Sequence, residues 1–242
     1  MNITNTERAA LDAALLRQEI DIEDEVKDEL LCYLHHVMEY NKILNLTRIT
    51  NIEEAIVLHI EDSLAAYKAL RDVQGSFIDI GTGGGFPGVP LALTLSRNAV
   101  LLDSVKKKAD AVDKILHQMN KNSQIEVLGM RSEELAQIRG NSFDLAITRA
   151  VSSLSTVEEY CTPLVKMGGY IVSMRGKDNP NDIDAGMAAA EILGLELVDE
   201  KHFFLNDTYN RVIYTFQRIK ESSIKLPRRN GMAHKRPLPD KK

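Results

Sequence analysis

Four glycines fall within Gly81–Gly85, directly after the apolar run Phe77–Ile80 that contains Asp79, and Phe86-Pro87-Gly88 follow at once. A backbone relieved of side chains bends sharply and lets a ligand lie against main-chain atoms, so this is a binding loop. Residues 83 to 88 spell G-x-G-x-x-G, the spacing of a dinucleotide site whose helix N-terminus faces a pyrophosphate. Here, however, Pro87 and Pro90 remove two amide donors from that helix start, and Asp79 sets a carboxylate before the loop. That chemistry suits a ligand with an ammonium group and no phosphate. The next apolar run ends in Leu102-Asp103, 20 positions beyond Gly83, where a carboxylate accepts both ribose hydroxyl protons. S-adenosylmethionine, with its ribose, adenine, ammonium and sulfonium, meets every one of these demands. A nicotinamide dinucleotide bound by an NAD(P)-dependent oxidoreductase is the rival.

The elements that must position this loop follow from apolar periodicity. Residues 1–70 read as helical. Thr4 and Glu7 have capping-box spacing, Asp21 is placed to cap a second helix carrying Val26, Leu30, Leu34 and Val37, and Asn51 precedes a third with Ile52, Ile56, Ile60, Leu64 and Tyr67 on one stripe. From Phe77 the pattern alternates: Phe77–Ile80, Val100–Leu102, Ile125–Leu128, Leu145–Ile147 and Tyr170–Val172 are strand-like, with helix-forming stretches between them. Such β-α repetition predicts an α/β fold, a Rossmann-like, mostly parallel sheet covered on both faces. The runs Leu195–Leu205 and Arg211–Arg218, joined by too few residues for a helix, predict an antiparallel hairpin at one edge. The expected division is a helical N-terminal cap over 1–70, an α/β domain over 71–220 and a basic C-terminal arm over 221–242.

Asn45-Leu46-Thr47, His59 with Asp62-Ser63-Leu64, the block Asp79 to Pro90, Leu101-Leu102-Asp103-Ser104, Arg131-Ser132-Glu133-Glu134, Thr148-Arg149-Ala150-Val151 and Gly168-Gly169 occur in that order. Together they resemble the bacterial small-subunit ribosomal RNA guanine-N7 methyltransferases, also called glucose-inhibited division protein B. The resemblance spans about Asn41 to Leu238. Phe86-Pro87-Gly88 after the loop and Arg149-Ala150-Val151 after the fourth strand are its specific parts, whereas the glycines are shared by all class I methyltransferases. It implies a class I S-adenosylmethionine-dependent methyltransferase fold and methyl transfer to guanine N7 in the decoding region of 16S ribosomal RNA. It further implies that Gly81 and Phe86 line the cofactor pocket, that Ser132 and Glu133 flank the adenine, and that Arg149 sits at the reactive end. Gly84 and Ser132 stand where alanine is usual, and Met130 and Met167 where glycine and proline are common.

Methyl transfer from sulfonium is an in-line displacement that needs alignment and exclusion of water. Exocyclic-amine methylation goes with an acidic or asparagine residue and two prolines after the fourth strand; here that place reads Thr148-Arg149-Ala150. Carbon methylation of pyrimidines needs a cysteine nucleophile, and Cys161 falls in a predicted helix as a small core residue. Guanine N7 offers an in-plane lone pair without a proton, so it needs no general base. The cofactor set expected is Asp79, Gly81, Gly83, Gly85, Phe86, Asp103, Ser132, Glu133 and Arg149. For Arg149 three readings stand: a clamp on the methionine carboxylate or a phosphate, a contact to the guanine N7 and O6 edge, and a structural salt bridge. His59 and Asp62 share a helix face; they close the pocket or tie the cap to the domain. Cys32 and His36 lie one turn apart without further ligands, so no metal is expected.

Charge points to the partner. The chain is 242 residues long with net charge −5, yet residues 225–242 carry seven cations against Asp240, a net +6 that leaves −11 on the rest. A short cationic arm on an acidic body suits a polyanion bound at one place. Its Gly231 and prolines predict an irregular segment whose Arg228, Arg229, Lys235 and Arg236 are free for RNA phosphates. Lys106, Lys107 and Lys108, after the ribose-binding strand, face the backbone of the RNA or simply solvate a helix start. Removing the arm is therefore expected to weaken RNA binding more than cofactor binding. No apolar stretch approaches the ~20 residues a membrane helix needs. The N-terminal residues lack a basic and apolar leader, and two cysteines at unrelated positions suit a reducing compartment, so a cytoplasmic, monomeric enzyme acting on ribosomal RNA or the 30S particle is expected. The remaining rivals are a noncatalytic RNA-binding protein and a small-molecule methyltransferase, which leaves the arm unexplained.

Overall fold

The computed structural model of the chain describes residues 3–176 and 179–240. Helix α1 (Asn5–Arg17) starts in the expected capping box, Thr4 Oγ1 accepting from the Glu7 amide at 3.2 Å and the Glu7 carboxylate from the Thr4 amide at 2.8 Å. Helix α2 (Asp24–Leu44) has Glu23, not Asp21, at its N-cap position, with no side-chain capping hydrogen bond, and ends on Asn45 in the left-handed conformation. Asn51 caps α3 (Ile52–Ala55) through the Glu54 amide. The chain then widens into a π-helical turn (Ile56–Glu61) before α4 (Asp62–Leu64) and α5 (Tyr67–Arg71). An inserted residue of this kind re-aims side chains, and this one carries His59.

The alternating half follows as β1 (Phe77–Ile80), α6 (Gly88–Thr94), β2 (Ala99–Leu102), α7 (Lys106–Gln118), β3 (Ile125–Leu128), α8 (Ser132–Arg139), β4 (Phe143–Arg149), α9 (Leu154–Cys161), β5 (Val165–Arg175) and α10 (Pro180–Leu193). The hairpin β6 (Leu195–Leu205) and β7 (Tyr209–Arg218) closes the sheet, and α11 (Met232–Lys235) lies in the arm. Strand order is β3-β2-β1-β4-β5-β7-β6, with β1 to β5 parallel and β7 antiparallel to both neighbours. The class I methyltransferase sheet read from the sequence is the one observed.

Adjacent residues of one strand feed opposite cores, as the pleat requires. Phe77, Leu101, Leu145, Ile147 and Val172 pack with α1, α2, α6 and α7, whereas Ile78, Val100, Leu102, Ala146 and Ile171 pack with α9 and α10. The helical cap therefore shares a continuous core with one sheet face; Leu11, Leu34, Ile56 and Ile60 are all buried there. No helix among the described residues is long and apolar enough to cross a membrane.

Candidate functional site

Strand order reverses between β1 and β4, and the glycine loop leaves the sheet there. The amides of Gly81 and Thr82 both donate to the Leu102 carbonyl, at 2.7 and 3.1 Å, so the loop folds over the end of β2. Asp103 completes that join: one carboxylate oxygen accepts from the Gly83 amide and the other from the Val105 amide, both at 2.8 Å. Each oxygen keeps a lone pair beyond those bonds. Asp79 lies fully covered beneath the loop, with Oδ2 accepting from the Gly88 amide at 2.8 Å and Oδ1 without a partner. Burial pushes its pKa up to about 7. Two of the loop's glycines have contrasting surroundings. At Gly85 (φ +87°) a Cβ would meet the Tyr33 hydroxyl, which donates to the Gly84 carbonyl at 2.8 Å; at Gly83 (φ +58°) the space beyond is open.

A cavity of about 160 Å³ opens beside this loop, lined by Ile80, Gly81, Leu102, Ser104, Met130 to Glu133, Val151, Ser152, Tyr160 and His234. Of the expected cofactor residues, Gly81, Ser132 and Glu133 line it. Asp79, Gly83, Gly85 and Asp103 build the loop's frame instead. Phe86 is also outside the lining: its buried ring stacks on His59 at 4.5 Å and meets Tyr33 edge-on at 5.7 Å. The cavity fits the adenosine portion of S-adenosylmethionine, since apolar Ile80, Leu102, Met130 and Tyr160 suit a flat base and Ser132 and Glu133 offer polar partners. Beyond it, the open face of Gly83 would serve the amino-acid end.

Arg149 ends β4 on the other side of the turn. The next residue, Ala150, adopts φ +53°, a conformation that L side chains rarely hold, and this redirects Val151 onto Gly81. The Arg149 guanidinium donates to the Leu58 carbonyl and to Asp62, both at 3.0 Å, and lies 5.8 Å over the Phe86 ring. Asp62 takes a second guanidinium, Arg211 of β7, at 2.8 Å. Burial, then the charge of Arg149, lowers the His59 pKa to about 3, so the ring is neutral. Its Nδ1 lies 3.5 Å from the Arg149 guanidinium and its Nε2 2.7 Å from Thr47 Oγ1. Arg149, Arg211, Arg175, His59, Met174 and Phe203 line a second cavity of about 340 Å³. The structural reading of Asp62 as a tie between cap and domain thus holds, and Arg149 has a salt bridge while still facing a cavity.

Cys161 is fully buried in α9, where burial raises its thiol pKa, and it lines neither cavity. Among the described residues no three His, Cys, Asp or Glu side chains gather as a metal site. Lys106 and Lys107 are exposed at the start of α7. Lys108 lines a broad groove with Lys42, Arg48 and Ala150, and the first two were not anticipated because they lie on separate elements. The arm corrects an expectation. Arg228 is not free: its Nε donates to Glu159 at 2.7 Å and its Nη2 pairs with the same carboxylate. Ala233 and Leu238 are buried, and α11 interrupts the supposed irregular segment. Arg229, Lys235 and Arg236 remain exposed, while Lys241 and Lys242 lie outside the described residues.

A family model described as rRNA small subunit methyltransferase G matches residues 26–209. The chain belongs to that family. Proteins named ribosomal RNA small subunit methyltransferase G from Alkaliphilus metalliredigens and Clostridium novyi are each 34% identical to it, over 225 and 236 residues. The first alignment covers 90% of this chain and 92% of the relative, the second 94% and 96%. Two solved structures share the fold at low identity. The Bacillus cereus O-methyltransferase with bound S-adenosylhomocysteine is 18% identical with TM-score 0.53, over 76% of this chain and 90% of that one. The Streptomyces coelicolor geranyl diphosphate C-methyltransferase is 12% identical with TM-score 0.52, over 64% and 78%. For a member of the methyltransferase G family S-adenosylmethionine is the cofactor, and the oxidoreductase reading falls away.

Proposed function

We propose that this protein transfers the methyl group of S-adenosylmethionine to N7 of a guanine in small-subunit ribosomal RNA, in the cytoplasm, with the 30S particle as the physiological substrate. One observation carries the reading: the turn Arg149–Ser152 stands between two cavities, one lined by Ser132 and Glu133, the other by Arg149 and Arg211. The donor supplies an electrophilic methyl carbon on positive sulfur. The chain's own part is alignment. Gly81, Ser132 and Glu133 would hold the nucleoside, with Asp103 and Asp79 keeping the loop in shape.

The second cavity is the place for the target base. Met174 and Phe203 offer apolar contact, and Arg149 and Arg211 present guanidinium donors that suit a purine's O6. Asp62 accepts from both arginines, which offsets part of their charge against the cation formed by N7 methylation. His59 is held neutral and both Asp62 oxygens are engaged, so the side chains at this cavity are poorly placed to remove a proton. That matches an acceptor with no proton to lose. The groove bearing Lys42, Arg48 and Lys108 reaches Ala150 and would guide the RNA backbone to this point.

The test uses labelled donor with naked 16S RNA and with 30S particles from a strain lacking the enzyme, followed by mapping of the methylated base. The expected product is one N7-methylguanine in the decoding region. Label at another atom, or none on either substrate, would overturn the reading. In the same assay Arg149→Ala should lose at least about a hundredfold in turnover. It should also lower stability by about 1–3 kcal/mol, because the Leu58 carbonyl and part of Asp62 lose their partner.

A further inference from the structure

The arm returns to the body at the nucleoside cavity. Glu133 and Glu134, consecutive on the first turn of α8, are held by consecutive arm residues: the Gly231 amide donates to Glu133 Oε1 and the Asn230 side-chain amide to Glu134 Oε1, each at 2.7 Å. The second Glu133 oxygen takes the Ser132 hydroxyl at 3.3 Å, so this carboxylate is oriented from both ends. Gly231, at φ +73°, turns the chain into α11, which brings His234 into the cavity lining that also includes Gly81 and Tyr160. The dock is anchored beyond the cavity as well. Glu159, nearly buried in α9, pairs with Arg228, whose Nη2 also donates to the Arg236 carbonyl at 2.8 Å; Thr156 Oγ1 donates to the Ala233 carbonyl at 3.3 Å. Buried Ala233 and Leu238 complete the seal.

We propose that the C-terminal arm is a wall of the S-adenosylmethionine pocket: His234 contacts the nucleoside, Gly231 positions Glu133, and the docked arm couples cofactor binding to RNA binding. This rests on the methyl-donor reading of the cavity. The coupling follows from the arm's two faces. Its inward side carries Arg228, Gly231, Ala233 and Leu238, and its outward side presents Arg229, Lys235 and Arg236 to solvent. Nucleoside and RNA phosphates both engage the docked arrangement, so each favours it for the other, reciprocally.

Calorimetric titration of S-adenosylhomocysteine into the full chain, into His234→Ala and into a chain ending at residue 224 tests the proposal. The expected Kd rises roughly five- to tenfold for His234→Ala and more than about tenfold for the truncation. His234→Phe, which keeps a ring against the nucleoside, should recover most of the loss; this holds the test open if the truncated chain unfolds. With the full chain, S-adenosylhomocysteine should also tighten binding of a decoding-region RNA fragment about fivefold or more, and with His234→Ala this gain should shrink. Equal Kd values for full chain and His234→Ala overturn the arm's role and leave the methyl-donor reading standing. No heat from the full chain overturns that reading and the arm's role together.

Discussion

Asp79 shows how a single buried carboxylate serves the loop at a cost. Its Oδ2 holds the Gly88 amide, while burial raises its pKa from 3.8 to about 7. Between those values the folded chain keeps a proton that the unfolded chain releases. The resulting stability is complete below about pH 4 and is lost as the pH rises towards 7. Asp79→Asn keeps an acceptor for Gly88 and cannot ionise. Urea unfolding across this pH range should therefore show wild type losing stability relative to the variant as pH rises. A pH-independent difference would mean that the Asp79 charge is compensated.

Among the elements, the glycine loop depends on a helix from the cap. Tyr33 of α2 is fully buried, donates to Gly84 and occupies the space that a Gly85 side chain would need. Gly85→Ala combines a strained φ of +87° with collision against that hydroxyl, and should cost about 2 kcal/mol or more. Tyr33→Phe removes only the hydrogen bond and should cost about 1 kcal/mol. Chemical denaturation orders the two, and S-adenosylhomocysteine affinity should fall in the same order because the loop is what deforms. If Gly85→Ala unfolds like wild type, α2 yields freely and does not hold the loop. The π-helical turn plays the matching part for the second cavity, placing His59 against Phe86 and Thr47.

Over the whole molecule, the arm's cations divide between folding and recognition. Arg228→Gln strands the nearly buried Glu159 and should cost about 2 kcal/mol, with little change in the salt dependence of RNA affinity. Replacing Arg229, Lys235 and Arg236 together by Gln should leave the unfolding midpoint near wild type. It should lower the slope of log K against log salt by about 2 if all three reach single-strand phosphates. Filter binding at several salt concentrations, with denaturation of the same proteins, separates the two classes. A steep slope retained by the triple variant would assign the RNA to Lys42, Arg48 and Lys108 instead.

What could be read in the chain itself was local. Short apolar and extended runs located β1, β3 and β6 to the residue, Thr4 with Glu7 marked the first helix, and the clustered glycines after Asp79 marked the loop, because each signal lies within one short segment. The family resemblance added Ser132, Glu133 and Arg149, and two of these three line the cavity beside the glycine loop. Asp21 was misjudged as a cap because α2 starts three residues later, behind Glu23, without any side-chain capping bond. Beyond that reach lay every contact between distant segments. Arg211 meets Asp62 across 149 positions, and Gly231 meets Glu133 across 98. Nothing in the spacing of charges reveals which cation will be buried against which carboxylate. The arm read as a free cationic tail for that reason, and only the folding of α8 and α9 into one wall decided that Arg228 would dock and that His234 would line the cavity beside the glycine loop.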